Sequence, residues 1–417
     1  MRVRTDAKRI WQAAISAVQP DSAVRRALET ADFTENIHLV AIGKAAWSMA
    51  NAAFEALGNA ILDGVVITKY DHSRGPIGNL QIFEAGHPVP DENSYRATRA
   101  AMELVKPLGK DDTVLFLVSG GGSALFECPL IDEKEMADIT KQLLACGADI
   151  VEMNTIRKRL SAVKGGKFAE LASPAKVFSI VLSDIIGDPL DMIASGPAYP
   201  DSSTCADAVR ITEKYDLRLS DAARSLLAQE TPKTLSNVET QITGSVRELC
   251  AAAEKEASTL GYTCTLLTDC LCCPAREAGS FLASIAKTHA GTEKSLAFLA
   301  GGETVVKLTG TGLGGRNQEL ALAAAPGISG LDNAAVFSFG SDGTDGPTDA
   351  AGGIVDGETE GKLRALGIRT ADVLQENNSY HALEKVGSLI VTGATGTNVN
   401  DLAVVLLKAR KRSTLNE

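Results

Sequence analysis

Short apolar runs of strand length alternate with helical periods along the whole of this chain, and that alternation restricts it to an α/β fold with largely parallel sheets. In the first half, Ile37–Ile42, Gly64–Thr68, Leu80–Glu84, Thr113–Val118 and Lys176–Leu182 read as strands. Helical periods cover Lys44 to about Leu57, Glu92–Val105, Glu133–Ala145 and Ile150–Val163. Turn residues thicken after Ser195-Gly196-Pro197, short helices follow, and Glu230-Thr231-Pro232-Lys233-Thr234 reads as a linker. Beyond it, strands are expected near Thr263–Leu267, Ala297–Ala300, Thr304–Leu308, Ala334–Phe339 and Leu389–Val391, with helices at Ala275–His289 and Asn317–Ala325. A chain of 417 residues is too long for one ordinary core, so two α/β domains are expected, over 1–232 and 233–417.

Composition removes several function classes. A formal net charge of −11 argues against a nucleic-acid footprint, which needs a basic face. The longest apolar stretches, such as Val114–Val118 and Leu402–Leu407, are strand-sized, so no membrane span is expected. Met1–Lys8 leads into a mixed polar segment without an apolar h-region, so no secretory signal is expected. Eight cysteines are spread thinly, and Cys270-Leu271-Cys272-Cys273 has no paired Cys or His at zinc-site spacing. Reduced thiols in a cytoplasmic protein are the expectation.

Two glycine-rich loops are the main pointers to chemistry. Ser119-Gly120-Gly121-Gly122-Ser123 follows the strand Thr113–Val118, and Gly310-Thr311-Gly312-Leu313-Gly314-Gly315-Arg316-Asn317 follows the strand-like run Val305–Leu308. Such loops leave backbone N–H groups free to converge on a phosphate, although neither has P-loop spacing. Gly43 ends the first strand, and Lys44 is expected to open a helix, an unfavourable place for a cation unless an anion shares it. Leu182-Ser183-Asp184-Ile185-Ile186-Gly187-Asp188 ends another strand where α/β folds place ligands, so either acid is a candidate for Mg²⁺ or a hydroxyl proton.

From Asn154 to Lys164 a two-faced helix is expected. Ile156, Leu160 and Val163 turn inward, while Asn154, Arg157, Ser161 and Lys164 form a polar face able to clamp a carboxylate or simply to be solvated. In the second half, Glu303 and the acids Asp342, Asp345 and Asp349 sit at strand ends without EF-hand spacing. Gly310-x-Gly312-x-x-Gly315 matches a dinucleotide fingerprint, but the acid expected about twenty residues on is missing.

Together these segments resemble the class II glycerate kinases, whose C-terminal half is called the MOFRL domain. The resemblance is carried by Ile42-Gly43-Lys44-Ala45, Gly86-His87-Pro88-Val89-Pro90, Val118–Ala124, Asn154–Lys158, Leu182–Pro189 and Ile193–Pro197. It continues through Gly301-Gly302-Glu303-Thr304, Gly314–Glu319, Gly340–Gly346 and Thr392–Asp401. It implies two α/β domains facing a cleft and transfer of the ATP γ-phosphoryl to the 2-hydroxyl of D-glycerate. Members have also been labelled hydroxypyruvate reductases, which keeps a nicotinamide-dependent reductase, a kinase for a related hydroxy acid and a non-catalytic anion binder as alternatives.

On that resemblance, Lys44 is expected to stabilise the transferring phosphoryl group, with Arg316 as a second cationic clamp. Asp188, with Asp184 as alternate, would orient the acceptor hydroxyl, and Asp184 or Glu303 would hold Mg²⁺. Ser119, Gly120, Gly121, Gly122, Ser123 and Gly187 are the expected nucleotide contacts, and Arg157, Asn317 and Asp342 the expected substrate contacts. The protein is expected to be a monomer or homodimer with no membrane or nucleic-acid partner.

Overall fold

The computed structural model describes residues 2–31, 33 and 36–409. Two six-stranded sheets organise them. The first has the order β3-β2-β1-β4-β5-β6, formed by β1 (Ile37–Ile42), β2 (Ile61–Lys69), β3 (Gln81–Ala85), β4 (Thr113–Val118), β5 (Lys176–Leu182) and β6 (Val238–Gly244). The β1–β2, β2–β3, β1–β4 and β4–β5 pairs are all parallel. Along β1, Ile37, Leu39 and Ala41 join one apolar cluster while Val40 and Ile42 join another, so both faces of the sheet are covered. Covered faces explain why these strands read as unbroken apolar runs.

The second sheet has the order β11-β10-β9-β12-β8-β7, formed by β7 (Thr263–Leu271), β8 (Leu296–Gly302), β9 (Ala334–Gly340), β10 (Gly352–Asp356), β11 (Leu389–Ile390) and β12 (Asp401–Leu407). The α/β class and the two layered sheets match expectation, but here only β7–β8 is parallel. The β8–β12, β12–β9, β9–β10 and β10–β11 pairs are antiparallel. On β12, Leu402, Val404 and Leu406 face one core while Ala403, Val405 and Leu407 face the other. A strand buried on both sides carries the same apolar signature whichever way it runs.

Two local expectations fail for identifiable reasons. Thr304–Leu308 is not a strand: Val305 makes a single bridge to Pro274, and Leu308 is 80% exposed. Asn377 holds this segment instead, accepting from the Thr309 and Gly310 N–H groups and donating to the Lys307 carbonyl. The helix expected over Ile150–Val163 stops at Leu160, where Ser161 turns extended. The ammonium of Lys167 collects the carbonyls of Lys158, Arg159 and Ser161, satisfying acceptors that the ending helix leaves open.

The compact units divide at different places from the expected 232/233 boundary. Residues 20–243 form one, and residues 2–19 join 244–409 in the other. The cause is the helix Arg2–Ala17, whose Val3, Ala7, Ile10 and Ala14 share a core with Val246, Leu249 and Ala253 of the helix Val246–Thr259 and with Phe337 of β9. Ile10→Ala should therefore destabilise the second unit by about 2–5 kcal/mol. Amide exchange should quicken in Val246–Thr259, β8 and β12 and stay unchanged in β1, β4 and β5. Loosening confined to the latter strands would contradict this division.

Candidate active site

In the first unit the strand order reverses between β1 and β4, the position where open α/β sheets bind their ligands at the carboxyl ends of the strands. Both strands end there in glycine-bearing turns that are stitched together. Ser119 N–H donates to the Ile42 carbonyl (3.0 Å), and Lys44 N–H donates to the Gly120 carbonyl (2.9 Å). The buried Ser119 hydroxyl donates to the Ile42 carbonyl (3.2 Å) and accepts from Ala45 N–H (3.1 Å). A Cβ on Gly43, which has φ +111°, would overlap the Ser119 hydroxyl and carbonyl oxygens. Ser119 thus commits its side chain to holding the turns.

Lys44 lies just before the N-cap Ala45 of the helix Ala46–Leu57, rather than opening it. Its carbonyl accepts from Thr68 and His72. Its ammonium has no ion pair or hydrogen bond among the described residues. The loop from Gly120 to Ser123 runs beside it: a Cβ on Gly121 (φ +88°) would stand 3.2 Å from Lys44 Cγ and 3.0 Å from His87 Cδ2. The N–H groups of Gly120, Gly121, Gly122 and Ser123 donate to no protein acceptor among the described residues. A cation without a counter-charge beside four free N–H groups is an arrangement suited to receive an anion.

Around this loop stand acids and a network of polar groups. Asp184 packs its carboxylate directly against the Gly120 Cα, leaving no room for a Cβ there. Asp188 has φ +52°, and its buried Oδ1 has no hydrogen-bond partner. Gly187, at φ +82°, opens to free space. Arg157 donates to the Ser123 carbonyl (2.9 Å) and to Glu127 (3.2 Å), so its guanidinium is already held by protein, with a buried Nε left over. Lys164 donates to the Ser123 and Phe126 carbonyls and lies 3.2 Å from Glu127. Burial pushes the Lys164 ammonium down to about 8, and despite its own burial Glu127 is held below the ordinary carboxylate range by Lys164 and Arg157.

Two of these residues, Glu127 and His87, carry no role in the sequence, and Lys164, expected on a polar helix face, is instead fully buried beyond the helix end. Glu127 acts through Arg157 and Lys164, partners far along the chain that no local spacing reveals. His87 stands in Gly86-His87-Pro88-Val89-Pro90, one of the segments that carry the family resemblance, so a signal existed. Burial, then the nearby charges of Lys44 and Lys69, push its imidazole below its ordinary value, which favours the neutral ring.

In the second unit another group gathers where β8 and β9 end. Because β12 is antiparallel to both, its first residue Asp401 pairs with Gly302 and Gly340, the last residues of those strands. Arg316 opens the helix Arg316–Ile328, donates twice to Asp401, and lies 3.3 Å from Glu303. Asp345 accepts from the N–H groups of Asn317 (3.1 Å) and Gln318 (2.8 Å), so the protein supplies its own anion to this helix N-terminus. Asn317 is 1% exposed, with its amide shared between Ser338 and Asp345, and this seals it from solvent. Asp342 accepts from Thr344 N–H within its own turn.

The second glycine loop also proves to be packing. Cβ atoms on Gly310 and Gly312 would collide with Glu376 and Asn378, and one on Gly315 with Asp345. Gly312 and Leu313 N–H groups already donate to Glu376 and Asn378. With no strand before it and with Gly310, Gly312 and Gly315 packed against Glu376, Asn378 and Asp345, the near-fingerprint at Gly310–Gly315 lacks the strand-to-helix setting of a pyrophosphate site. Among the described residues no three His, Cys, Asp or Glu side chains form a metal cluster. Mg²⁺ in phosphoryl-transfer sites takes one or two carboxylates plus phosphate oxygens, a requirement that Asp184 and the orphaned oxygen of Asp188 fit.

Fold and site therefore define a two-unit α/β protein with a candidate anion site at the switch point of its first sheet. A family model described as a domain of unknown function (DUF4147) matches residues 6–228, and one described as the MOFRL family matches residues 296–401. A D-glycerate 2-kinase of Thermotoga maritima is 52% identical over 404 residues, spanning 95% of this chain and 97% of that one. A glycerate 2-kinase of Pyrococcus horikoshii is 39% identical, spanning 99% of each. The crystal structure of a Thermotoga maritima glycerate kinase superposes with a TM-score of 0.94 at 52% identity, covering 97% of this chain and 99% of that one. The chain belongs to the glycerate kinase family that carries the MOFRL domain.

Burial pushes the Asp345 carboxyl up to about 7, against the helix N–H groups that favour its charged form. An acid raised on folding binds its proton more tightly in the folded state. Its stabilising contribution is present below the ordinary carboxylate range and is lost as pH rises through about 7. Raising pH from about 5 to about 7 should therefore destabilise the wild type relative to Asp345→Asn by up to about 1.4 kcal/mol per pH unit. Urea unfolding of both proteins across that range checks this, and parallel curves would contradict it.

Proposed function

We infer that this protein is an ATP-dependent D-glycerate 2-kinase, transferring the γ-phosphoryl group to the 2-hydroxyl and releasing 2-phosphoglycerate and ADP. The observation that carries this reading is the uncompensated ammonium of Lys44 beside the free N–H groups of Gly120–Ser123, in a chain 52% identical to a protein named D-glycerate 2-kinase. Phosphoryl transfer asks little covalent work of a protein; it asks for positioning and for neutralisation of charge on the γ-phosphoryl oxygens. Lys44 supplies that positive charge, and the Gly120–Gly122 amides receive phosphate oxygens. Asp188 orients the acceptor hydroxyl and takes up its proton at Oδ1. Mg²⁺ would be held by Asp184 and phosphate oxygens, supplying charge neutralisation when bound.

Arg157, held by Glu127 and the Ser123 carbonyl, is the proposed partner of the substrate carboxylate. Arg316 and Glu303 are the second unit's candidates for phosphate and metal contact, and Asp342 for substrate. Eight free cysteines support a reducing, cytoplasmic setting, and no helix among the described residues is long and apolar enough to cross a membrane. A monomer or homodimer is the proposed assembly, which light scattering checks.

The first test is a substrate panel with ATP and Mg²⁺, following ADP release and the position of the phosphate on the product. D-glycerate should be phosphorylated at the 2-position, and NADH should not be oxidised by hydroxypyruvate. Lys44→Met should lower turnover by about a hundredfold or more without unfolding the protein, in line with loss of a transition-state donor. Near-wild-type turnover in that variant would remove Lys44 from the mechanism. Asp188→Asn should lower turnover strongly while leaving ATP affinity unchanged in calorimetry; recovery of its rate by excess Mg²⁺ would reassign it as a metal ligand.

A further inference from the structure

Ser123 is gripped more firmly than a nucleotide loop needs. Its carbonyl accepts from both Arg157 and Lys164, each at 2.9 Å. Its hydroxyl lies 3.0 Å from the hydroxyl of Ser195. Ser195 is fully buried, and its own hydroxyl lies 2.9 Å from Asn154 Oδ1. Asn154 is also buried, with its Nδ2 turned to the Met192 sulfur at 3.9 Å.

The direction of the protons follows from valence. An amide oxygen only accepts, so Ser195 donates its single hydroxyl proton to Asn154. Ser195 can then only accept from Ser123, which must donate its own proton inward. The half-buried Ser123 therefore has lone pairs on Oγ and, on the same residue, a free backbone N–H to present to a ligand. A phosphate oxygen suits the N–H but is repelled by the hydroxyl lone pairs. An alcohol suits both, since it accepts from one and donates to the other.

The alcohol in question is not the reacting one. The chain of hydroxyls from Ser123 ends at an amide, which cannot take up a proton, so it offers the acceptor hydroxyl no base. The arrangement is also maintained against backbone strain: Ala194 and Ser195 have φ of +52° and +62°, in a region that residues with a Cβ rarely occupy. The strained turn is what places the Ser195 hydroxyl between Ser123 and Asn154.

We propose that Ser123, polarised by Ser195 and Asn154, recognises a non-reacting hydroxyl of the hydroxy-acid substrate and so selects acids bearing a second hydroxyl next to the carbon that is phosphorylated. This rests on the kinase reading and deepens it, dividing the glycine loop between phosphates (Gly120–Gly122) and the acceptor (Ser123). Ser195 and Asn154 are positioning residues that fix the polarity. A site built to bond a substrate hydroxyl discriminates strongly against analogues lacking it, because its own polar group is then left unpaired.

The experiment compares D-glycerate with D-lactate, which has the 2-hydroxyl and lacks the 3-hydroxyl, in wild type, Ser123→Ala and Ser195→Gly. Wild type should prefer glycerate in kcat/KM by tenfold or more, and Ser123→Ala should bring the ratio close to one, chiefly by raising KM for glycerate. Ser195→Gly, which suits the left-handed backbone, should lower the ratio in the same direction. Calorimetric affinity for an ATP analogue should be unchanged in Ser123→Ala. An unchanged glycerate-to-lactate ratio in an active Ser123→Ala overturns the proposal. So does lost nucleotide affinity, which would turn Ser123 toward the phosphates. A wild type that phosphorylates neither acid overturns the kinase reading itself, and this proposal with it.

Discussion

The close approach of two turns, at the ends of β1 and β4, is the constraint on which the candidate site depends. Gly43 and Ser119 meet so tightly that a single Cβ at residue 43 would overlap the partner turn. The Ser119 hydroxyl then ties the Ile42 carbonyl to the Ala45 amide. This stitch sets Lys44 alongside Gly121, with Asp184 lodged against Gly120. A cation, four amide donors and a carboxylate are thus positioned by backbone contacts, which hold geometry better than flexible side chains do. Preorganisation of this kind is where catalysis of phosphoryl transfer finds its energy.

A second layer of charge holds the loop from beneath. Glu127 is sealed between Arg157 and Lys164, and both cations also bond the Ser123 carbonyl. Nearby, Lys158 and Arg159 are 2% and 1% exposed and reach Asp201, Asp191 and Glu230. Buried pairs of this sort contribute little net stability, yet removing one partner leaves a charge stranded. Their value here is orientation of the segments that frame the glycine loop.

Much of this was legible in the chain. Ile37–Ile42 and Thr113–Val118 announce themselves as strands because both faces are buried, and the glycines after them mark the turns that matter. Lys44, Gly120–Ser123 and Asp184 follow the ends of β1, β4 and β5, a placement that the apolar runs before them already indicate. What escaped has physical reasons. Strand direction in the second sheet left no trace, since β12 is covered on both faces. The basic run Arg157-Lys158-Arg159 reads equally as a solvated face, and only tertiary partners such as Asp201 reveal that Lys158 and Arg159 are buried. The glycines of the second loop signal close approach, as glycines do, but the approach is to Glu376, Asn378 and Asp345 of the protein itself.

The discontinuous second unit has a consequence for how the chain reaches its native state. On the ribosome, the helix Arg2–Ala17 is made before any of its packing partners, which begin at Val246 and extend to Leu406. Residues 20–243, by contrast, form a contiguous unit that can complete its own sheet core as soon as it has emerged. The leading helix must therefore wait, amphipathic and unpaired, while more than half of the chain is synthesised and the intervening unit folds. Long-range closures of this kind are slow and expose apolar surface in the interval. During that interval the apolar stripe of Val3, Ala7, Ile10 and Ala14 has no core to enter and is a surface through which the nascent chain can aggregate.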